Sequence, residues 1–158
     1  MLEKTILVIG TFDTKEDELI YLAGRIAAQG GAVLKMDVSV LGEPSEPCDF
    51  SKHDIARAAQ STIQEAIECG DENQAMQIMA RGASAYASEL HAIGRIDGVI
   101  ILGGTMGTDL ALDVCQALPL GVPKYIVSTI SFSPLIPADR LSPDIQTVSY
   151  THLRAHET

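Results

Sequence analysis

Two stretches of the chain place glycine and hydroxyl residues directly after an apolar run. In "VIILGGTMGTDLALDV", residues 99–114, the apolar run ends in Gly103 and Gly104, and Gly107 follows before a helical pattern. Glycine permits positive φ and lets backbone N–H groups approach a ligand with no Cβ between them. A helix that starts near Thr108 would direct its free amides and its partial positive charge at the same place. The stretch therefore predicts an anion site of the kind that holds nucleotide phosphates.

The glycine stretch matches neither of the standard phosphate-binding fingerprints. "GGTMGTD" has no lysine before Thr108, as a Walker A loop would, and its glycine spacing differs from GxGxxG. A glycine turn that only lets a strand and a helix pack closely explains this stretch equally well when it is taken alone. Thr105, inside the turn, would add a hydroxyl to the site.

The stretch "ILVIGTFDTKEDEL", residues 6–19, offers the positive charge that the glycine stretch lacks. Thr11, Asp13, Thr14 and Lys15 place two hydroxyls, a carboxylate and an ammonium within five residues. Lys15 would supply a point charge to a phosphate, and Asp13 would orient a bound Mg²⁺ or its water. In the alternative interpretation, Asp13 or Thr14 only caps a helix and Lys15 is solvated.

Further polar residues follow the other predicted strands. Asp37 stands where an acidic residue meets ribose hydroxyls in nucleotide-binding α/β domains, although a surface aspartate fits the pattern equally well. Ser128, Thr129 and Ser131 would add hydroxyls at the same edge, or would only cap a turn. No nucleophile with a neighbouring base stands out, so the sequence predicts no catalytic residue.

Four apolar runs predict strands, and helical patterns separate them. The predicted strands are Thr5–Ile9, Ala32–Val38, the run within residues 95–104, and Lys124–Ser128. The predicted helices start near Lys15, Ser51, Asp71 and Thr108 and end near Gly30, Cys69, Gly94 and Leu118. Thr14 with Asp17 predicts a capping box for the first helix. Met76, Met79 and Tyr86 recur at helical spacing, which favours core packing over a ligand pocket.

This alternation predicts an α/β fold: a Rossmann-like or flavodoxin-like parallel sheet between helices on both faces, in three layers. A strand order of 2-1-3-4 would place the first and third strands side by side at the switch point of the sheet. Ligands of such sheets bind beyond the carboxyl ends of the strands at that point. We therefore expect the two polar stretches to converge there.

Composition excludes several classes of protein. The 158 residues predict one domain, and the net charge of −10, from 21 acidic and 11 basic residues, argues against a nucleic-acid binder. The sequence has no apolar run of membrane-spanning length and no signal-peptide pattern, so we expect a cytoplasmic protein without membrane association. Cys48, Cys69 and Cys115 are far apart, which argues against zinc and favours reduced, packed thiols.

Four motifs together resemble a known family. They are "VIGTFDTKEDELIYL", "DVSVLGEP", "MARGASAYASELHAIGRIDGVIILGGTMGTDLA" and "GVPKYIVSTI". Their order and content are similar to the ATP-binding domain of the tomato mosaic virus resistance protein-like family, which also has many uncharacterised bacterial members. The resemblance covers about residues 4–146. It implies a Rossmann-like ATP-binding domain that is followed by a second α/β domain, and, for the plant member, a protein partner from a virus.

The resemblance also assigns residues to the ATP site. These residues are Thr11, Asp13, Thr14, Lys15, Gly103, Gly104, Thr105, Gly107, Thr108, Ser128 and Thr129. Thr105 replaces the serine of the usual family loop and keeps the hydroxyl. Arg81, in "MARGA", also matches a family motif and would either face the phosphates or pair with a carboxylate. A nucleotide-dependent phosphotransferase or hydrolase, and a protein-interaction module with a structural nucleotide, are the alternative functions.

The last residues, "VSYTHLRAHET", depart from the family pattern. They are polar, lack periodicity and resemble a translated adapter, so we expect residues 148–158 to be a non-native tail and residues 1–147 to be the nucleotide-binding domain. His152, Arg154 and His156 then have no function. A domain that ends early would expose an edge strand and a domain face, which favours homo-oligomer formation.

Overall fold

A computed structural model describes residues 3–151 and contains five strands. They are β1 (Thr5–Gly10), β2 (Ala32–Asp37), β3 (Gly98–Gly103), β4 (Lys124–Ser128) and β5 (Ile145–Ser149). Five α-helices connect them: α1 (Glu16–Ala28), α2 (Lys52–Ala58), α3 (Ile63–Glu68), α4 (Glu72–Ala92) and α5 (Thr105–Ala117). A short 3₁₀ helix at Ala138–Arg140 precedes β5.

The strands form one parallel sheet in the order β2-β1-β3-β4-β5. β1 and β3 are adjacent at its centre, with Ile9 opposite Ile101. The predicted α/β fold and the predicted order of the first four strands are confirmed. Within residues 3–151 no helix is long and apolar enough to cross a membrane.

Alternating residues of the strands face two hydrophobic clusters, one on each side of the sheet. Leu7 and Ile9 of β1 belong to the larger cluster, which also contains residues of α2, α4 and α5. Val8, between them, belongs to the smaller cluster with Leu19 of α1. Helices therefore cover both faces, which gives the three predicted layers. Met79 is fully buried in the larger cluster, as the helical spacing predicted.

Two predictions for the helices that precede β3 are wrong. The helix expected between Ser51 and Cys69 is two helices, because the chain breaks at Gln60, whose φ is 59°. The predicted capping box of Thr14 with Asp17 does not form: α1 is capped by Lys15 without a side-chain hydrogen bond. The hydroxyl of Thr14 instead lies 2.8 Å from that of Thr11.

Strand β5 was not predicted, and it extends into the segment expected to be a non-native tail. Val148 and Ser149 pair in parallel with Val127 and Ser128 of β4. Tyr150 packs against the smaller hydrophobic cluster. The described chain ends at residue 151, so His152, Arg154 and His156 lie outside the described residues.

The cysteines differ in their burial. Cys115 is buried and Cys48 is half-buried, and burial raises the pKa of both thiols to about 12. Cys69 is exposed, so the expectation that all three thiols are packed is wrong for this one. Between residues 3 and 151, no group of three or more His, Cys, Asp or Glu side chains could hold a metal ion.

A buried ion pair joins the starts of β4 and β5 and makes stability depend on pH. The Lys124 ammonium contacts the Asp144 carboxylate, which also accepts hydrogen bonds from Gly121 N and Ser142 Oγ. These donors hold the pKa of Asp144 well below its ordinary value of 3.8. The stabilisation is therefore complete above that value and is lost as pH falls through the lower folded-state pKa.

We expect Asp144→Asn to lower the free energy of unfolding at neutral pH, because it leaves the Lys124 ammonium buried without a counter-charge. The difference from the wild type should narrow as pH falls below 3.8, the ordinary value for this carboxyl, because the unfolded wild-type chain then binds a proton that the folded state still resists. Urea unfolding at several pH values measures the loss of stability and its dependence on pH. A difference that stays constant across this range would contradict the assigned role of the ion pair.

Candidate functional site

The carboxyl ends of β1 and β3 are adjacent, and the loop that follows each strand borders a common cavity. This central cavity has a volume of about 230 Å³. Its lining includes Thr11, Thr14 and Lys15 from the first loop and Gly103, Gly104, Thr105, Met106 and Gly107 from the second. The structure thus brings the two polar stretches of the sequence to one place.

Two glycines at the end of β3, Gly103 and Gly104, have different roles. A Cβ on Gly103 would lie 2.5 Å from the carbonyl carbon of Gly107, so Gly103 is required for packing of β3 against α5. A Cβ on Gly104 would meet only Thr129 Oγ1, at 3.7 Å. Packing therefore explains Gly103 but leaves Gly104 as backbone exposed to the cavity.

Helix α5 begins at Thr105, three residues earlier than predicted, and Gly104 is its N-cap. Gly107 consequently lies in the first helical turn rather than in a loop. No side chain caps this end of the helix. Thr108 N already donates to Gly104 O at 2.8 Å, whereas the amides that precede it in the first turn have no acceptor within the helix. These amides border the central cavity.

Lys15 is the cation that lines the central cavity. Partial burial lowers the pKa of its ammonium, and the nearby Glu18 carboxylate opposes this effect. Burial acts in this direction because it removes water from the charged form. An anion in the cavity would replace the lost hydration, so the position of Lys15 favours a negatively charged ligand.

The side chain of Asp13 points away from the central cavity and lines a second one. Asp13 Oδ2 accepts a hydrogen bond from Gly42 N at 3.1 Å, and Asp13 N donates to Ser39 Oγ at 3.1 Å. Oδ1 is buried and has no hydrogen-bond partner within residues 3–151. A buried carboxylate oxygen without a partner is uncommon and calls for an explanation, such as a water or a cation bound beside it.

The second cavity, which we call the lateral cavity, lies between the loops after β1 and β2 and the α3–α4 junction, and its volume is about 320 Å³. Its lining comprises Thr11, Asp13, Thr14, Ser39, Val40, Leu41, Ala66, Ile67, Gly70, Asp71, Glu72, Ala75, Met76 and Met106. Four of these residues, Thr11, Thr14, Met76 and Met106, also line the central cavity. The two cavities are therefore adjacent.

Asp37 is not available to a ribose. It is 1% exposed, and its Oδ1 accepts hydrogen bonds from Phe12 N and from both N and Oγ of Ser39. Burial raises the pKa of its carboxyl, although the hydrogen bonds from Ser39 and Phe12 oppose the shift. The structure thus corrects both interpretations of this residue: Asp37 ties the loop after β2 to the loop after β1.

Thr108 and Ser128 are also internal. Their hydroxyls lie 2.6 Å apart, both residues are buried, and Ser128 Oγ accepts from Ile130 N. Thr129 N donates to Gly103 O, and Ser131 Oγ donates to Val148 O. These four residues join β3, α5 and β5 to the end of β4 and line neither cavity, and the hydrogen bonds of Ser128, Thr129 and Ser131 fit the turn-capping interpretation.

Arg81 is exposed on α4 and lines neither cavity. The Gly82 beside it has a structural role, since a Cβ there would lie 1.9 Å from Ile55 O of α2. The "MARGA" motif therefore marks the place where two helices cross closely, and the structure does not place Arg81 beside either cavity.

The sequence patterns did not single out several residues that line or flank the two cavities. Met76 and Met106 line both cavities, and Ser39, Leu41 and Gly42 belong to the segment that holds or flanks Asp13. The only signal was the motif "DVSVLGEP" directly after the second strand, whose polar and proline residues are typical of a surface connection. Methionine at helical spacing indicates core packing more often than a ligand wall, so the pattern could not separate the two.

These features define a Rossmann-like α/β domain with two adjoining cavities at the carboxyl edge of its sheet. The chain belongs to the uncharacterised protein family UPF0261, whose N-terminal domain model matches residues 4–139.

Relatives occur in bacteria and in a plant. The chain is 52% identical over 143 residues to a UPF0261 protein of Brucella suis, covering 90% of this chain and 34% of the relative. It is 34% identical over 130 residues to a UPF0261 protein of Clostridium tetani, covering 82% and 32%. It is 28% identical over 146 residues to the ToMV resistance protein Tm-1 of Solanum lycopersicum, covering 80% and 19%. The chain thus spans about a third of the length of its bacterial relatives.

Proposed function

We propose that this domain binds ATP, with the phosphates in the central cavity. The observation that carries the proposal is the position of Gly104: its backbone is open to the cavity although packing does not require a glycine there, and the start of α5 lies beside it. Lys15 borders the same cavity from the other loop. Two chain segments that are distant in sequence thus contribute complementary groups.

The energetics favour a ligand with several phosphate oxygens. A helix N-terminus stabilises an anion by about 0.3–1 kcal/mol at the surface and by up to about 2 kcal/mol when partly buried. One such contact is weak. The amides of the first turn of α5, the ammonium of Lys15 and the hydroxyls of Thr11, Thr14 and Thr105 together would hold a di- or triphosphate.

We place a magnesium ion at the border between the two cavities, because Asp13 lines the lateral cavity and its loop neighbours Thr11 and Thr14 line both. Asp13 Oδ1 is the buried carboxylate oxygen without a partner, and Mg²⁺ in nucleotide sites is held by one or two carboxylates together with phosphate oxygens and water. Asp13 would hold the ion directly or through a water. When bound, Mg²⁺ would supply charge neutralisation of the phosphates.

The relatives extend the proposal to the whole protein. Since the bacterial relatives are about three times as long as the aligned region, we propose that this nucleotide-binding domain works with a second domain. The plant relative is named as a resistance protein against ToMV, which favours a protein partner for that branch of the family.

Lys15→Ala tests the proposal. ATP that binds the folded state should raise the melting temperature of the wild-type chain, because a ligand stabilises the state that it binds. Lys15→Ala should lose most of this increase, since it removes the cation from the central cavity. Differential scanning fluorimetry with and without saturating ATP and Mg²⁺ measures the effect.

Lys4→Ala is the matched control, because Lys4 is exposed and precedes β1 at the opposite edge of the sheet. This variant should keep the full ATP-dependent increase in melting temperature. A wild-type chain that shows no change in melting temperature with ATP would contradict the proposal.

A further inference from the structure

We infer that the lateral cavity holds the nucleoside half of the ligand, so that the base lies between Leu41 and Ile67 and the phosphates extend into the central cavity. This inference rests on the proposed ATP binding. It assigns a place for the base and the sugar, which Asp37 cannot provide because its carboxylate is buried and hydrogen-bonded.

The size and the walls of the lateral cavity fit a planar, largely apolar group. Its volume of about 320 Å³ exceeds the 230 Å³ of the central cavity. Leu41 is 74% exposed and Ile67 is 42% exposed, and both line this cavity together with Met76 and Met106. Exposed apolar side chains that gather around one cavity indicate a ligand surface, whereas isolated ones need no explanation.

The charges of the two cavities set the orientation of the ligand. The lateral cavity is lined by the carboxylates of Asp13, Asp71 and Glu72, which disfavour phosphate there. The central cavity instead has Lys15 and the first turn of α5. Carboxylates accept hydrogen bonds from sugar hydroxyls and from amino groups of a base, so the lateral cavity suits the nucleoside.

The wall that carries Leu41 is already fixed in this structure. Lys52, whose side chain is only 5% exposed, donates to Gly42 O at 2.9 Å and pairs with the Glu43 carboxylate at 2.7 Å. Gly42 N in turn donates to Asp13 Oδ2. Lys52 also donates to Val40 O at 3.4 Å, so the loop after β2 is held on both sides of Leu41 and binding need not order it. This preformed wall lowers the entropic cost of binding.

The test compares ATP with inorganic tripolyphosphate, which has the phosphates but no nucleoside. The double variant Leu41→Gln/Ile67→Gln removes the apolar contacts without adding charge. We expect it to weaken ATP binding by about tenfold, a loss of about 1.4 kcal/mol, and to leave the affinity for tripolyphosphate unchanged. Isothermal titration calorimetry of the 158-residue chain with each ligand measures both affinities.

The matched control is Ile93→Gln/Leu120→Gln, because these side chains are 63% and 75% exposed and both precede strands, at the opposite edge of the sheet. The control should bind both ligands like the wild type. Equal weakening of ATP and tripolyphosphate by the lateral-cavity variant, or unchanged ATP affinity, would overturn the inference. So would a wild-type chain that binds tripolyphosphate as tightly as ATP, although phosphate binding would then stand. A wild-type chain that binds neither ligand would refute the proposed function itself.

Discussion

Replacing Gly104 with valine is expected to abolish the ATP-dependent increase in melting temperature while changing the melting temperature of the ligand-free chain little. A Cβ at this position would meet only Thr129 Oγ1, at 3.7 Å, so the backbone of the ligand-free fold tolerates a side chain here. It would occupy the space in front of the first turn of α5, where the phosphates are proposed to lie. Gly104→Val should lose more of the ATP-dependent increase in melting temperature than Lys15→Ala does. The valine side chain would block the approach of the ligand to several amides at once.

The control for this variant is Gly24→Val, on the exposed side of α1, where a Cβ also meets nothing within 4 Å. Scanning fluorimetry of both variants with and without ATP separates effects on binding from effects on stability. Retention of the full ATP-dependent increase by Gly104→Val would refute the placement of the phosphates.

Gly82→Ala is expected to destabilise the fold strongly, although it adds only one methyl group. Its Cβ would lie 1.9 Å from the backbone oxygen of Ile55, and a backbone atom cannot move aside as the end of a side chain can. Helices α2 and α4 would have to separate, which disrupts packing around Ile55 and Met79, both fully buried. Overpacking of a core costs about 1–3 kcal/mol and occasionally more, and we expect the upper end of that range.

Urea unfolding measures this loss, with Gly24→Ala as the control. In the control, alanine replaces glycine at an open helical position and should raise stability by roughly 0.5–1 kcal/mol. An unfolding midpoint of Gly82→Ala equal to that of the wild type would show that α2 and α4 do not cross within contact distance at this glycine.

The sheet was predictable from the sequence because its strands are short, apolar and separated by helices. The run "GVIILG" in particular has no polar residue, as a central parallel strand requires, and it became β3. Strand β5 was missed because "IQTVS" has only two apolar residues without regular alternation, lies at an edge, and is only partly buried. Its pairing with β4 depends on tertiary contacts that a local pattern does not contain.

The approach of the two loops was also predictable, since strand order alone places their ends together. The role of each polar side chain was not. Thr108 and Thr105 are the same residue type three positions apart, yet one hydroxyl is buried against Ser128 and the other lines a cavity. The same holds for Asp13 and Asp37: one borders a cavity, and the other is enclosed by hydrogen bonds. A sequence gives the donors and acceptors, but the fold decides which are used internally.

The pairing of β1 with β3 has a consequence for when the two cavities form during folding. Residues 6–9 pair with residues 98–101, so most of the domain separates the two partners along the chain. Contacts of such long range form late, because closing the intervening loop costs entropy before any contact is gained. A folding intermediate with only local structure would lack both cavities. Nucleotide should therefore slow unfolding without accelerating the early steps of folding.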